Sequence, residues 1–234
     1  MKTTVISRFK TTSIAFLAAL LLVVFASASI AFGDSELIAQ AQPPEGRWSL
    51  KLDGGVLFVW NRKELSFTLT IKGKDVRSMD DPNNIFLVVD GKILQIQSLP
   101  ITNFAPDARK NKLDDQAILL AHRDWEATFL QNELLHAKII LKTSSEKLSS
   151  GISMLVWQYD LPQNLKNPDA TGQMYLSRVE GDYVILLNTV LNSSVSESDA
   201  RRFLLETIST LKTSPDKFDI KKLQDAIRSG SIGS

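Results

Sequence analysis

Histidine is the side chain that most often binds a metal or acts as a general base near neutral pH, and this chain contains two, His122 and His136. His122 and Glu126 stand four positions apart, so they share one face of a helix. Glu133 follows two turns further on, and His136 lies just past the end of the predicted helix. Imidazole and carboxylate groups are zinc ligands. One hypothesis is therefore a metal-assisted hydrolase that uses His122, Glu126 and His136.

The same spacing occurs on any glutamate-rich helix that carries a histidine. His122 also falls on the apolar stripe of this helix beside Trp125, where a core histidine is the ordinary outcome. The favoured interpretation is that His122 and Glu126 serve packing and a contact along the helix. We therefore predict no catalytic, cofactor-binding or metal-binding residue and no cofactor, and the hydrolase is kept as the alternative function.

Other motifs that carry chemistry are missing or stand in the wrong context. The chain has no Gly-x-Ser-x-Gly sequence for a nucleophilic serine. Gly54-Gly55 joins two predicted strands and does not open a helix, so it offers no phosphate site. The adjacent carboxylates Asp80-Asp81 and Asp114-Asp115 are typical of a solvated loop and of a helix start. These patterns predict a protein that is not an enzyme.

Aromatic side chains give one hypothesis about binding. Five of them lie on predicted strands, so one face of a sheet could present rings to a protein partner or an apolar ligand. The competing interpretation is that these rings form the core, as large rings on strands beneath a helix usually do. The five residues are Trp60, Trp157, Tyr159, Tyr175 and Tyr183.

The N-terminal residues predict export. Lys2, Arg8 and Lys10 precede an uncharged apolar run from Ile14 to Phe25, and small residues follow at Ala26-Ser27-Ala28. This order is typical of a cleaved signal peptide, so the predicted location is periplasmic or secreted. The alternative is a retained membrane anchor, because the apolar run extends to Phe32 and approaches the about 20 residues that span a bilayer. In that case the leader is the only membrane contact.

Cysteine is absent, which excludes a disulfide framework, a thiolate nucleophile and lipid attachment at the signal-peptide cut. The formal net charge is +1, with 27 basic and 26 acidic residues that are interleaved along the chain. Proteins that bind nucleic acids usually carry a basic stripe, so nucleic acid is not an expected partner.

The periodicity of apolar residues predicts an α+β fold. Strands are predicted at 48–52, 56–60, 65–71, 85–89, 92–97, 137–142 and 152–159, together with a hairpin at 174–190 that turns at Gly181-Asp182. A polar loop is predicted from 72 to 84. The segment from Leu113 to Leu135 lacks Gly and Pro and repeats apolar residues at helical spacing. A second helix is predicted from Ser196, in a capping position, to Leu211.

These elements predict one antiparallel sheet covered by two main helices, similar to an α/β/α sandwich. The expected organisation is a signal peptide at 1–33, a linker at 34–47, a single domain at 48–212 and a C-terminal tail at 213–234 that contains a short helix from Ile220 to Arg228. Pro43 and Pro44 define the linker because proline disfavours both helix and central strand.

The order of strand, Glu180-Gly181-Asp182 turn, strand and helix in Met174–Leu211 resembles the C-terminal half of PsbP-like proteins, a superfamily that includes the extrinsic photosystem II subunit, a Ran-binding import factor and bacterial envelope proteins. The resemblance implies an accessory or binding role and supplies no site residues. The function predicted is thus an exported, non-enzymatic binding or accessory protein of the cell envelope, whose partner is an unknown protein or apolar ligand.

Overall fold

The computed structural model describes residues 45–79, 85–148 and 150–232. Within them the chain forms two antiparallel sheets and three α-helices, with most of its regular structure in the strands. The predicted α+β class is confirmed. The prediction of a single sheet is wrong, because the first three strands pair among themselves and form a separate layer. The signal peptide and most of the linker lie outside the described residues.

The small sheet has four strands in the order β1-β2-β3-β11. Its first three strands follow one another as hairpins, and the last comes from near the C-terminus and pairs with β3. The unbroken apolar run of β2 fits this position, because strands covered on both faces lose the polar alternation. The bounds are β1 Gly46–Leu52, β2 Gly55–Asn61, β3 Ser66–Lys72 and β11 Lys212–Ser214.

The large sheet has seven strands in the order β4-β5-β6-β10-β9-β8-β7, and all neighbours are antiparallel. Strands β4 and β7 therefore lie at its two edges. The bounds are β4 Val76–Met79, β5 Ile85–Val89, β6 Lys92–Pro100, β7 Leu141–Lys147, β8 Ser153–Asp160, β9 Gly172–Glu180 and β10 Tyr183–Leu191.

Two predictions for the edge strands are wrong. Strand β4 lies inside the stretch predicted as a polar loop, because an exposed edge strand carries a weak apolar pattern. Strand β7 begins at Leu141 and not at Ala137. The apolar residues before it serve another purpose: Ile139 is buried, and its backbone N–H donates to Oε1 of Gln131 at 3.1 Å, which ties the connecting segment to the preceding helix.

Both predicted hairpins are confirmed. Asp90 and Gly91 have φ angles of 48° and 80° between β5 and β6, as a type I′ turn requires. Gly181, with φ of 56°, begins the turn between β9 and β10. Glycine accepts this left-handed backbone conformation without the steric cost that other residues incur. The second hairpin supplies the central strand of the large sheet, β10, and its neighbour β9.

The three helices begin at side-chain caps, which satisfy backbone N–H groups that have no partner within a helix. They are α1 Asp115–Phe129, α2 Glu197–Ser209 and α3 Ile220–Arg228, and Asp114, Ser196 and Asp219 cap them in turn. A π-helical turn, Leu130–Leu135, extends α1 and ends at His136 in the left-handed conformation. The long helix, the closing helix and the short C-terminal helix are confirmed.

Apolar clusters divide the fold into layers. One cluster joins the small sheet to one face of the large sheet and includes Ala200, Leu204 and Ile208 of α2. A second cluster lies between α1 and the other face of the large sheet. A third covers the outer face of the small sheet with Ile220 of α3 and the partly buried residues around it. The large sheet is thus covered on both faces.

The segment predicted as a C-terminal tail is packed against the domain. The side-chain amide of Asn61 donates to the carbonyl of Phe218 at 2.8 Å and accepts from the N–H of Phe218 at 2.9 Å. Together with β11, this pair places α3 over the small sheet. Among the described residues, no helix is long and apolar enough to cross a membrane.

Candidate functional site

The ionisable residues considered as metal ligands in the alternative hypothesis are placed by α1 and the π-helical turn after it in two different environments. His122 and Glu126 lie on the face of α1 that packs against the large sheet, and their exposed fractions are 0% and 5%. Capping by Asp114 and the apolar stripe of the helix fix this orientation. The two side chains share a face, as their spacing predicts, but that face is turned into the core.

The imidazole of His122 is enclosed by aromatic rings. Its ring centre is 5.1 Å from that of Phe104 in an edge-to-face arrangement and 6.3 Å from that of Trp125. Neither ring nitrogen has a hydrogen-bond partner among the described residues. Burial lowers the pKa of His122 from 6.5 to about 4, because the charged form loses its hydration. The imidazole is therefore neutral at physiological pH.

Glu126 experiences the same desolvation with the opposite effect on its pKa. Burial raises the pKa of this carboxyl from 4.5 to about 7, and no ion pair among the described residues offsets the cost of the charge. The negative charge of Glu126 also contributes to raising the pKa values of the Tyr159 and Tyr175 hydroxyls, after burial as the main cause. The carboxyl therefore lies close to two buried phenols.

These phenols begin a chain of buried hydrogen bonds, which we call the polar ladder and which consists of Tyr159, Tyr175, Gln173, Asn188 and Gln95. The hydroxyls of Tyr159 and Tyr175 donate to Oε1 of Gln173 at 3.1 and 2.7 Å. Nε2 of Gln173 donates to Oδ1 of Asn188 at 2.7 Å, and Nδ2 of Asn188 donates to Oε1 of Gln95 at 2.7 Å. The polar ladder crosses four adjacent strands.

Strand geometry explains why the polar ladder forms. Tyr159 pairs with Gln173, and Asn188 pairs with both Tyr175 and Gln95 in the registers of their strands. Directly paired residues on one face of a sheet have Cβ atoms close enough for side-chain contact. Trp157 extends the cluster, since its ring stacks on Tyr175 with centres 3.9 Å apart. All of these side chains are buried.

The ionisable groups around His122 and Glu126 are enclosed in the interior of the protein, which limits the chemistry that they can perform. His122 is an unprotonated base, Glu126 is an acid whose pKa is about 7, and the phenols are held in their protonated form. Catalysis needs such groups within reach of a substrate, and burial separates them from solvent. Hydrogen bonds between buried polar side chains, such as those of the polar ladder, typically make the core rigid and favour a single packing.

The structure does not bring together the three residues that the alternative hydrolase hypothesis assigns to a metal, His122, Glu126 and His136. Glu133 and His136 are exposed, and His136 lies at the end of the π-helical turn, with φ of 47°. In residues 45–79, 85–148 and 150–232 there is no group of three or more His, Asp or Glu side chains that could hold a metal ion. His136 lines a shallow depression with Gln131, Asn132, Ala137 and Lys138.

The hypothesis of an exposed aromatic face is wrong for four of its five residues. Trp60, Trp157, Tyr159 and Tyr175 are buried, and Tyr183 is partly exposed at the start of β10. Trp157 and the two tyrosines lie beneath α1, while Trp60 stacks on Phe67 in the core between the sheets. These four rings belong to the core, so they do not form an exposed aromatic surface on which an apolar ligand could bind.

The polar ladder was not predicted from the sequence, although a signal is present. Asn188 interrupts the apolar run of β10, and Gln95 and Gln173 occupy interior positions of strands whose neighbours are apolar. Polar residues at core positions of adjacent strands must find partners, because an unpaired buried amide is costly. The sequence alone does not give the register of the strands, which aligns Gln95, Gln173 and Asn188 across the sheet.

Comparison with models of known protein families gives no match, and a search of curated proteins gives none either.

Proposed function

We propose that this chain is an exported, non-enzymatic binding or accessory protein of the cell envelope. The observation that carries the proposal is the position of His122 and Glu126. These residues have the spacing of a reactive pair, yet they are sealed between α1 and the large sheet. Their neighbours are aromatic rings and the polar ladder. A protein whose reactive side chains support its core acts on partners through its surface.

The leader and the composition support the envelope location. The basic, apolar and small residues at the N-terminus have the order of a signal peptide. The absence of cysteine means that the domain folds without disulfides, and it is stabilised by apolar clusters that hold its layers together. The proposed location is periplasmic or secreted, with membrane contact only through an uncleaved leader.

The resemblance to PsbP-like proteins supports an accessory role. It rests on the hairpin of β9 and β10 and on α2, which the structure forms next to one another. The best known members of this superfamily act as accessory or binding proteins. A protein partner is therefore the first one proposed, and a nucleic acid is not proposed, because acidic and basic residues are interleaved.

Zinc retention distinguishes this function from a metal-assisted hydrolase. After dialysis against zinc and then against buffer, the purified protein is expected to retain no stoichiometric zinc, because His122 and Glu126 face the core and His136 faces solvent. The metal content is measured by mass spectrometry of the acid-digested protein. The variants His122→Ala and His136→Ala are expected to give the same value as the wild type.

One zinc per chain that is lost in His122→Ala would contradict the proposal and favour the hydrolase. Because removal of a buried ring can unfold a domain, Glu126→Gln serves as a second variant that keeps the shape of the side chain. Under the hydrolase hypothesis this variant would also lose zinc. A circular dichroism spectrum of each variant establishes that it is folded before its metal content is compared.

A further inference from the structure

Strand β7 presents a free backbone edge. It is the last strand on one side of the large sheet and pairs only with β8 within the part of the chain that the structure describes. Its seven residues, Leu141–Lys147, contain no proline or glycine. An edge strand of this kind offers a row of N–H and C=O groups to another strand.

Side-chain contacts on both faces hold β7 extended. On the α1 side, Gln116 donates to Ser145 Oγ at 3.0 Å and Arg123 donates to Thr143 Oγ1 at 3.3 Å. These contacts secure the odd-numbered residues of the strand. The edge is therefore braced on this face by a helix that is itself packed on the sheet.

The even-numbered residues are secured from the α2 side. Arg201 donates to Ser144 Oγ at 3.0 Å and pairs with Glu146, and Lys142 Nζ lies 2.9 Å from Glu197 Oε1. A braced, extended edge loses little conformational entropy when it pairs, since its backbone is already ordered.

The central part of β7, from Lys142 to Glu146, is complementary to itself. When two copies run antiparallel and Ser144 lies opposite Ser144 of the second copy, Lys142 lies opposite Glu146 and Thr143 lies opposite Ser145. Opposite charges and hydroxyl pairs are favourable cross-strand neighbours. Each pair occurs twice, because a two-fold axis repeats it. A register centred on Lys142 would instead place this lysine against its own copy.

An exposed apolar residue supports the same register. Ile140, directly before β7, is 81% exposed and is one of two large hydrophobic residues that are exposed in the described chain. Continuation of the antiparallel register places it opposite Leu148 of the second copy, which is partly buried. Ile140 and Leu148 thus form an apolar pair at each end of the two strands.

We propose that the protein forms a two-fold symmetric dimer in which β7 pairs antiparallel with β7 of a second copy about an axis at Ser144. The two large sheets then form one continuous antiparallel sheet. The lysines of β7 disfavour pairing with other strands, as edge lysines usually do, while Glu146 of the second copy accommodates Lys142. The strand that pairs with this edge is thus β7 of a second copy of the protein.

A single cysteine tests the axis, since the natural chain contains none. In the variant Ser144→Cys the two cysteines lie directly opposite each other, at the about 4.5–5.5 Å between Cα atoms that suits a disulfide. We expect a disulfide-linked dimer to form under mild oxidation and to run at twice the mass on a non-reducing gel. Ser78→Cys is the matched control, because Ser78 is an exposed residue of β4 at the other edge of the same sheet.

Two further variants test the register. Thr143→Cys and Ser145→Cys should cross-link poorly alone and efficiently when the two proteins are mixed, because residue 143 lies opposite residue 145. A pairing shifted along the strand would reverse this pattern and overturn the proposed axis. Equal cross-linking of Ser144→Cys and Ser78→Cys would also overturn it, since random collision would then account for the product.

Mass measurement by light scattering tests the dimer without a cross-link. The wild type is expected to have twice the mass of one chain at micromolar concentration, and Ile140→Glu is expected to be a monomer. Ile140 is exposed, so this substitution leaves the core of each copy intact. Leu113→Glu is the control, because Leu113 is the other exposed hydrophobic residue and lies outside β7. A monomeric wild type would overturn the proposal.

Discussion

Glutamine in place of Glu126 is expected to stabilise the folded protein by about 3 kcal/mol at pH 8 and to leave its stability unchanged below pH 4.5. Burial raises the pKa of this carboxyl from 4.5 to about 7, and each pKa unit between the folded and unfolded states corresponds to about 1.4 kcal/mol. Above pH 7 the wild type must bury a carboxylate without a cationic partner. Glutamine has the same shape and carries no charge.

The direction in which the free energy of unfolding changes with pH follows from the number of protons bound to Glu126 in the folded and unfolded states. The wild type is most stable, with respect to Glu126, below pH 4.5, where the carboxyl is protonated in both states. As the pH rises from 4.5 to 7, the unfolded chain releases this proton and the folded protein retains it, so the free energy of unfolding falls. The advantage of Glu126→Gln should therefore grow through this interval and become constant above it.

His122 has the opposite dependence. Burial lowers its pKa from 6.5 to about 4, so the stability that its neutral ring confers is present above pH 6.5 and is lost as the pH falls toward 4. Between pH 4.5 and 6.5 the unfolded chain has a charged glutamate and a charged histidine, whereas the folded protein has both groups neutral. The folded and unfolded states of the wild type therefore hold equal numbers of protons on these two groups, so their effects on the free energy of unfolding cancel. In Glu126→Gln only the effect of His122 remains, and the free energy of unfolding changes with pH.

Urea unfolding followed by tryptophan fluorescence at several pH values between 4 and 8 measures this effect. Glu133→Gln is the control, because it makes the same change of side chain at an exposed position on the turn that extends α1. If Glu126→Gln showed a constant difference from the wild type across the whole range, the carboxyl would be ionising as it does in water, and the sealed position of Glu126 would be wrong.

Leucine in place of Gln173 is expected to lower the free energy of unfolding by about 3–5 kcal/mol, although the two side chains are similar in size. Gln173 is the centre of the polar ladder. It accepts from the hydroxyls of Tyr159 and Tyr175 and donates to Asn188. The substitution leaves these three buried groups without that partner, and each such loss costs about 1–3 kcal/mol.

Chemical denaturation at one pH measures the loss, with Gln163→Leu, an exposed loop position, as the control that should change stability little. The triple variant that combines Gln173→Leu with Tyr159→Phe and Tyr175→Phe removes the two hydroxyls that lost their acceptor. It should be more stable than Gln173→Leu alone. A triple variant that is less stable would mean that the ladder is not the cause of the loss.

Local features of the fold could be predicted because their causes lie within a few residues. Asp90-Gly91 sets a tight turn whatever surrounds it, and Ser196 caps α2 through the N–H of Asp199, three positions away. The stripe of α1 and the short helix α3 follow from spacing alone. In each case the residues that determine the structure are near one another in the chain.

The division into two sheets could not be predicted in the same way. It depends on β11, which pairs with β3 across a long separation in sequence, and on the packing of one sheet face against another. Strand β7 was misplaced because its hydroxyl and charged residues are typical of a loop. They belong to a strand here because partners on α1 and α2, distant in sequence, satisfy them.

The candidate site was predicted in part. The shared face of His122 and Glu126 follows from their spacing, whereas the burial of that face depends on the sheet beneath it. The exposure of His136 depends on a π-helical turn that ends the helix in a left-handed residue. Gln95, Gln173 and Asn188 were not singled out, because only the register of the large sheet brings their side chains into contact.

The most direct test of an exported envelope protein is the mass of its mature N-terminus together with its compartment. The protein is expected in the fraction released by osmotic shock, with a first residue between Ser29 and Asp34, as cleavage after the small residues of the leader requires. Intact-protein mass spectrometry of that fraction gives both answers. A folded chain found in the cytosol that still begins at Met1 would contradict the proposed function.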